Sequence, residues 1–214
     1  MSVINQEDVL NEVVISLRNA DVLSTTIRGV TRTTKTDTLV AKNTIIIGRN
    51  NVKNIKNITI NATPYTDYTV NYDDGSCTIT LGSNQTGTSI VTYDYGTDKI
   101  FTGYPRNDLN LDSFPRISVE YIDITSESGG FGNVNRNKHD ISILMYSTNK
   151  KEIRNTITLI RTWCINNQNS LSTLRLIKPV MMGPLVLAGE FAKFKDKVMK
   201  QNFDFAGLLS YEKN

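Results

Sequence analysis

The pattern of apolar and polar residues divides the chain into a helix, a run of strands, and a final alternation of strands and helix. Near the N-terminus, valines and leucines recur every three or four residues from Val9 to Leu17, which predicts an amphipathic helix. Asn5 stands before this stripe as an N-cap, and acidic residues occupy the first turn. We expect this helix to end near Asn19.

The segment 24–44 is polar, rich in threonine and interspersed with Arg28, Arg32 and Lys35. It shows no helical stripe, so it predicts extended connecting structure or an edge hairpin. Its basic residues are interpreted as part of a solvated loop rather than as phosphate ligands.

The segment 45–101 has the short alternating apolar stretches that are typical of strands. An Asp-Gly pair within 73–76 predicts a tight hairpin over 68–81. Glycines at both ends of 82–87 predict a second turn, which leads into a strand over 89–95. The region is therefore predicted to be an antiparallel meander of at least three strands.

After a proline-containing connector over 102–116, the pattern predicts a strand over 117–122, a long loop over 125–138, and a strand from His139 to Ser147. Apolar residues on both faces of that second strand favour a central position in a sheet.

A second helix is predicted to begin after the N-cap Asn149, with Glu152 completing a capping box. Further strands are predicted at 174–176 and 203–209. The segment 190–200 fits either a short helix or the approach to the last strand.

These elements predict an α+β fold, in which a mixed or antiparallel sheet is flanked by two helices and carries an inserted antiparallel β-meander subdomain. The predicted domains are residues 1–44 with 102–214, and the inserted β-rich subdomain 45–101.

Composition narrows the possible functions. The 214 residues carry a formal charge of +3, with one histidine and two cysteines. This leaves little material for zinc sites, histidine-based catalysis or disulfides, and a charge this small does not indicate a nucleic-acid partner. Cys77 and Cys164 are interpreted as free thiols in a reducing compartment. We expect no cofactor, no metal and no enzymatic activity.

The N-terminus has no basic region followed by an apolar run, and we expect no signal peptide. The longest apolar stretch, 179–188, is too short to span a membrane and is broken by two prolines. The sequence therefore predicts a soluble protein made in a cytoplasm.

The glycine-rich stretch 129–132 could suggest phosphate binding, but a phosphate loop is followed by a helix, and here a strand follows. We interpret 125–138 as a flexible hairpin arm that reaches a neighbouring subunit. Its basic tip would meet an acidic partner. The candidate subunit-interface residues are Phe131, Arg136 and Lys138.

Two other features have structural interpretations. His139 and Asp140 are neighbours in a strand and therefore point to opposite faces, so we interpret His139 as a strand-edge residue and not as a catalytic base. The tyrosines of the meander are interpreted as cross-strand packing, with glycan binding as the alternative. They are Tyr65, Tyr68, Tyr72, Tyr93, Tyr95 and Tyr104.

The order of elements resembles a known family. An N-terminal amphipathic helix is followed, after the insertion, by the strand 114–121, a loop, the strand 140–146, a second helix and two closing strands. This order is similar to the tail-terminator family of tailed bacteriophages and related viruses, over residues 5–19 and 112–211. The inserted strands resemble β-hairpin modules of many virion proteins, although compact terminators lack such an insertion.

The resemblance implies a structural virion protein of the neck or tail end, assembled in the host cytoplasm. Such a protein forms a ring, commonly a hexamer, that caps the tail tube and joins it to the head connector. Its expected partners are copies of itself, the tube protein and a head-side connector, with DNA only passing through the lumen and no membrane contact.

Two alternatives remain open at the level of sequence. One is another head–tail connector or a tail-tube-like virion protein, although the second long helix over 149–168 favours a terminator. The other is a glycan- or surface-binding β module built on the tyrosine-rich meander.

Overall fold

A computed structural model of the chain describes residues 5–73, 75–103, 114–128, 135–187 and 198–209. The fold is mixed α+β, as the sequence predicted. The helices are α1 (Gln6–Asn19), α2 (Thr25–Arg28) and α3 (Lys150–Asn166). The strands are β1 (Val30–Ile47), β2 (Val52–Ile60), β3 (Thr63–Pro64), β4 (Tyr68–Tyr72), β5 (Cys77–Gly96), β6 (Ile100–Thr102), β7 (Arg116–Ser128), β8 (Asn135–Ser147), β9 (Leu174–Met182), β10 (Val186–Leu187) and β11 (Met199–Leu209).

The chain divides into two compact units. The β unit is Leu23–Asp98, and the α/β unit combines Met1–Val22 with Lys99–Asn214. These limits differ from the domain limits predicted at 44/45 and 101/102. The first predicted limit falls inside β1, which pairs with β5 from Val30 opposite Gly96 to Ile47 opposite Cys77. The segment 24–44 is therefore α2 and most of a paired strand, not a connector.

The β unit is an antiparallel sheet built around β5. The strand β1 lies along one side of β5, while β4 and β2 pair with the two halves of its other side. The predicted hairpin over 68–81 is confirmed, with Tyr68 opposite Leu81 and Tyr72 opposite Cys77. The core of this unit consists of Leu39, Ile45, Ile47, Val52, Ile55, Ile58, Ile60, Cys77, Ile79, Leu81, Val91 and Tyr93.

The turn predicted over 82–87 is wrong, because β5 continues through these residues. The glycines there admit a neighbouring side chain instead of reversing the chain. A Cβ atom on Gly82 would lie 1.9 Å from Asp67 Oδ2, and one on Gly87 would lie 2.1 Å from Asn61 Oδ1. Gly87 also has a φ of +128°, which L-residues rarely adopt.

The α/β unit is a mixed sheet in the order β10-β11-β8-β7-β6, with β9 also paired to β11. Its pairs are antiparallel except β6 with β7. The helix α1 packs on β6 and β7, and α3 packs on β8, β9 and β11. Trp163 joins these layers, because its ring meets the Phe205 ring edge-on at 5.8 Å and its Nε1 donates to Ser16 Oγ at 2.9 Å.

Both long helices begin where the sequence predicted. The Asn5 side chain accepts from the Glu7 N–H, and Asp8 completes a capping box around α1. Asn149 caps α3 by accepting from the N–H groups of Lys151 and Glu152. The Glu152 carboxylate, however, accepts from Ser147 Oγ at 2.5 Å rather than taking the predicted capping-box role.

The loop predicted over 125–138 is shorter than expected. The strand β7 continues to Ser128 and β8 begins at Asn135, with Thr125 opposite Lys138. Of the undecided segment 190–200, Met199 and Lys200 begin β11. Residues 104–113 of the predicted connector, 129–134 of the predicted loop and 190–197 of the undecided segment lie outside the described residues.

Candidate functional site

Two of the three predicted interface residues lie in a paired strand and not in the predicted loop. Phe131 lies outside the described residues. Arg136 and Lys138 belong to β8, where they pair with Glu127 and Thr125 of β7. The Lys138 Nζ atom lies 3.1 Å from Asp140 Oδ1, so this charge is partly neutralised within its own strand. The prediction of a loop tip at Lys138 is wrong because β7 and β8 continue beyond their alternating apolar residues into the neighbouring polar residues.

His139 is a buried residue of a central strand, not of a strand edge. The strand β8 lies between β7 and β11, and the His139 side chain is only 5% exposed. Its Nδ1 lies 3.2 Å from Tyr121 Oη. Burial lowers the pKa of His139, against the weaker opposing effect of Asp140, and burial raises the pKa of Tyr121 to about 12. Both groups are therefore neutral near pH 7, and they support the packing of the sheet.

The two cysteines are buried thiols. Burial raises the pKa of Cys77 to about 11 and that of Cys164 to about 12. A thiol with so high a pKa supplies little thiolate, which is the reactive form. In the part of the chain that the structure describes, no three side chains of His, Cys, Asp and Glu come together as metal ligands would.

A buried ion-pair network joins α2 to the end of β5 within the β unit. Arg28 is completely buried, and its guanidinium contacts Asp94 at 2.9 Å and Asp98 at 2.5 Å. Arg28 also donates to Asn54 Oδ1 at 3.0 Å, and Arg32 binds the other oxygen of Asp94 at 2.7 Å. Both arginines were predicted to lie in a solvated loop. That prediction is wrong because their carboxylate partners are more than sixty residues away in sequence.

The tyrosines of the meander contribute to the core of the β unit. Tyr93 is buried, and the partly buried rings of Tyr65, Tyr68, Tyr72 and Tyr95 pack against the same cluster. Ile55 N–H donates to Tyr72 Oη at 3.3 Å, which ties β2 to β4. These contacts correspond to the structural interpretation of the tyrosines. Tyr104 lies outside the described residues.

The most unusual surface of the α/β unit is one edge of its sheet. The strands β9 and β10 follow each other along β11, on the side away from β8. Their side chains include six large apolar ones that are 41–61% exposed, namely Leu176 and a set of five that follows Pro179. We call this set the apolar edge: Val180, Met181, Met182, Val186 and Leu187.

The apolar edge is held in place at its centre by Gly183. The Gly183 N–H donates to the Asn202 carbonyl at 3.0 Å, and its own carbonyl accepts from Gln201 Nε2 at 2.9 Å. A Cβ atom at Gly183 would lie 1.8 Å from Asn202 Oδ1, so the glycine leaves the space that the Asn202 side chain occupies. The exposed side chains on both sides of Gly183 are thus presented from a defined backbone.

An exposed apolar edge strand is normally either shielded from pairing with other chains or used to bind a partner. Exposed apolar edge strands favour pairing with other chains, and large apolar surface patches mark interaction sites. Pro179 and Pro184 flank the first half of the apolar edge and remove backbone donors, which limits uncontrolled extension of the sheet. The arrangement is suited to docking a specific partner through its side chains.

Sequence reasoning missed this surface, although the signal was present. The stretch 179–188 is apolar but too short to span a membrane, so its apolar character calls for another explanation. Its large apolar residues do not alternate with polar ones, as they would in a strand with one solvated face. That lack of alternation in a strand beside two prolines is the signal that could have indicated an exposed edge.

No protein-family model matches the chain, and no curated protein matches it. Among the described residues, none of the helices combines the length and apolar character needed to cross a membrane.

Proposed function

We propose that this chain is a structural subunit of a virion neck or tail end, where copies of it form a ring that caps the tail tube and joins it to the head connector. The observation that carries the proposal is the apolar edge, with five large side chains held in the open on β9 and β10. A subunit that works by docking needs such a surface and needs no reactive group.

The energetics of the apolar edge favour a ring over an isolated pair. Complete burial of one such side chain contributes about 1.5–3 kcal/mol. Because the five side chains are about half exposed, their burial offers on the order of 5 kcal/mol, close to the lower estimates for the cost of association. One contact is therefore weak, whereas a closed ring gives every subunit two contacts.

The order of elements in the α/β unit supports the choice of a terminator-like subunit. The helix α1, the hairpin of β7 and β8, the helix α3 and the strands β9 and β11 follow one another along the chain. This is the order on which the resemblance to tail terminators rests, with the β unit inserted between α1 and β6.

The proposed partners follow from the same role. Copies of the chain form the ring, a tail-tube protein lies on one side, and a head-side connector lies on the other. DNA passes through the lumen without a lasting contact, which suits the formal charge of +3. The proposed role includes no catalysis, no cofactor and no metal.

The test is the mass of the purified full chain in solution, measured by light scattering over a range of concentrations, with negative-stain images of the same sample. We expect the mass to rise with concentration towards that of about six copies, and the images to show annular particles with a central hole. A chain that remains a monomer at its highest soluble concentration, and also when mixed with tail tubes, would contradict the proposal.

A further inference from the structure

We infer that copies of this chain join head to tail through opposite edges of the sheet in the α/β unit, so that the apolar edge of one copy lies along β7 of the next. This inference rests on the proposed function and adds the two surfaces and the direction of assembly. The occupant of the apolar edge is thus a second copy of the same chain.

The sheet has a second open edge opposite the apolar edge. On that side β6 pairs only with Ile117, Ser118 and Val119 of β7. The strand β7 continues to Ser128, and no described strand pairs with its outer side beyond Val119. We call residues 120–128 the acidic edge. In the part of the chain that the structure describes, each copy therefore offers two different unpaired edges, which is the requirement for a head-to-tail contact.

The two edges carry opposite charges. The acidic edge contains Glu120, Asp123 and Glu127 and no basic residue. The strands β9 and β10 contain Arg175 and Lys178 and no acidic residue. Opposite charges that face each other across a strand pair stabilise it, and like charges destabilise it.

Apolar contact is also available on both edges. The acidic edge includes Ile122, whose side chain is 55% exposed beside the exposed Asp123. On the other edge, the exposed Lys178 precedes Val180 and Met181 by only a few residues. A polar and an apolar contact can therefore form side by side when the two edges meet.

The charges of Glu120, Asp123, Arg175 and Lys178 are not neutralised by ion pairs with other described residues. Glu120 accepts a hydrogen bond from Ser118 Oγ at 2.8 Å, and Asp123 accepts one from the Ile124 N–H at 2.7 Å. Within the described ranges, no ion pair involves either carboxylate, Arg175 or Lys178. They are therefore available to a neighbouring copy.

The charge pattern also selects against the symmetric alternative. If β9 of one copy met β9 of another, Arg175 and Lys178 of the first copy would face Arg175 and Lys178 of the second. If two copies of β7 met, their carboxylates would face one another. Like-charge contact costs affinity and acts against wrong pairings. The head-to-tail contact avoids both like-charge contacts. It closes into a ring when the rotation between neighbouring copies is a whole fraction of 360°.

Charge reversal tests the pairing. Lys178→Glu alone and Asp123→Lys alone should each weaken assembly by about tenfold or more, because each places like charges together. The double variant should restore assembly. So should an equimolar mixture of the two single variants, because copies that alternate around a ring then meet only opposite charges.

The readout is the mass distribution at fixed concentration, with far-UV circular dichroism to verify that each variant is folded. Lys178 and Asp123 are both exposed, so we expect the fold to persist. Cross-linking gives an independent arm. With cysteines at both positions, oxidation should give a ladder of linked oligomers, and the buried Cys77 and Cys164 should contribute no background.

The outcomes distinguish the inference from the function on which it rests. A wild-type oligomer whose single reversals assemble normally, or whose double variant and mixture remain monomeric, overturns the head-to-tail pairing and leaves the ring proposal standing. A disulfide-linked dimer from the Lys178→Cys chain alone, without a ladder from the double variant, indicates symmetric pairing and also overturns it. A wild type that stays monomeric at its highest soluble concentration, and also when mixed with tail tubes, overturns the proposed function itself.

Discussion

The two units of this chain differ in which side chains they bury and which they expose. The β unit buries Arg28, Asp94 and Asp98 and satisfies them with one another. The α/β unit instead exposes five large apolar side chains on one edge, three before and two after Gly183 and Pro184. A unit whose buried charges are all paired internally is complete by itself. An exposed apolar edge, in contrast, is stabilised only when a partner covers it.

Exposed apolar residues of the β unit do not weaken this contrast. Val40, Ile46 and Ile90 are exposed, but they are separated along β1 and β5. Single apolar side chains on a surface are common and need no partner. It is the contiguity of the apolar edge that distinguishes the α/β unit.

The largest effect is expected when the buried network of the β unit is broken. Arg28→Ala leaves Asp94 and Asp98 buried without their main partner, and should lower the free energy of unfolding by about 3–5 kcal/mol. The matched control is Arg32→Ala, which removes a contact to the same Asp94 from a side chain that is 31% exposed, and should cost about 1 kcal/mol.

Urea unfolding followed by two signals measures this effect. Far-UV circular dichroism reports the strands, and the fluorescence of the single tryptophan, Trp163, reports the α/β unit. We expect Arg28→Ala to move the first transition more than the second. Equal losses from Arg28→Ala and Arg32→Ala would contradict the view that the buried network completes the β unit.

The sequence predicted the elements whose signals are local. The stripe of α1, the hairpin over 68–81 and the cap of α3 depend on residues within a few positions of one another. The predictions failed where the deciding partner is distant. The strand β1 is identified by its pairing with β5, and Gly82 and Gly87 admit Asp67 and Asn61 instead of forming a turn.

The candidate site follows the same rule. The buried environment of Arg28 depends on three partners distant in sequence, in β2, in β5 and just after β5, so no local pattern could reveal it. The apolar edge, in contrast, is contiguous in sequence and was open to prediction. What the sequence could not show is that β9 and β10 lie at the outside of the sheet rather than at its centre.

A smaller effect is expected from pH, because the α/β unit contains the single histidine in its core. Burial lowers the pKa of His139 below 6.5 in the folded state, so the unfolded chain binds the proton more readily. This contribution to stability is complete above pH 6.5. The contribution is lost as the pH falls from 6.5 to the pKa of His139 in the folded state. The total loss is about 1.4 kcal/mol for each pH unit between the folded and the unfolded pKa of His139.

Comparison with His139→Gln isolates that contribution from the titration of carboxylates. Between pH 7 and pH 5.5, wild-type stability should fall more steeply than that of the variant, and above pH 7 the two should change in parallel. Unfolding free energies measured across this range provide the test. Parallel curves throughout would mean that His139 titrates alike in the folded and unfolded chains.

The most direct measurement of the central claim compares two lysine substitutions of exposed apolar residues, one in each unit. Met181→Lys places a charge in the apolar edge, where the side chain is 53% exposed, and Val40→Lys places one in the β unit, where the side chain is 68% exposed. Mass in solution as a function of concentration should show Met181→Lys as a folded monomer at concentrations where wild type and Val40→Lys are oligomers. If Met181→Lys assembles like wild type, or if Val40→Lys is the variant that dissociates, the α/β unit does not carry the assembly surface.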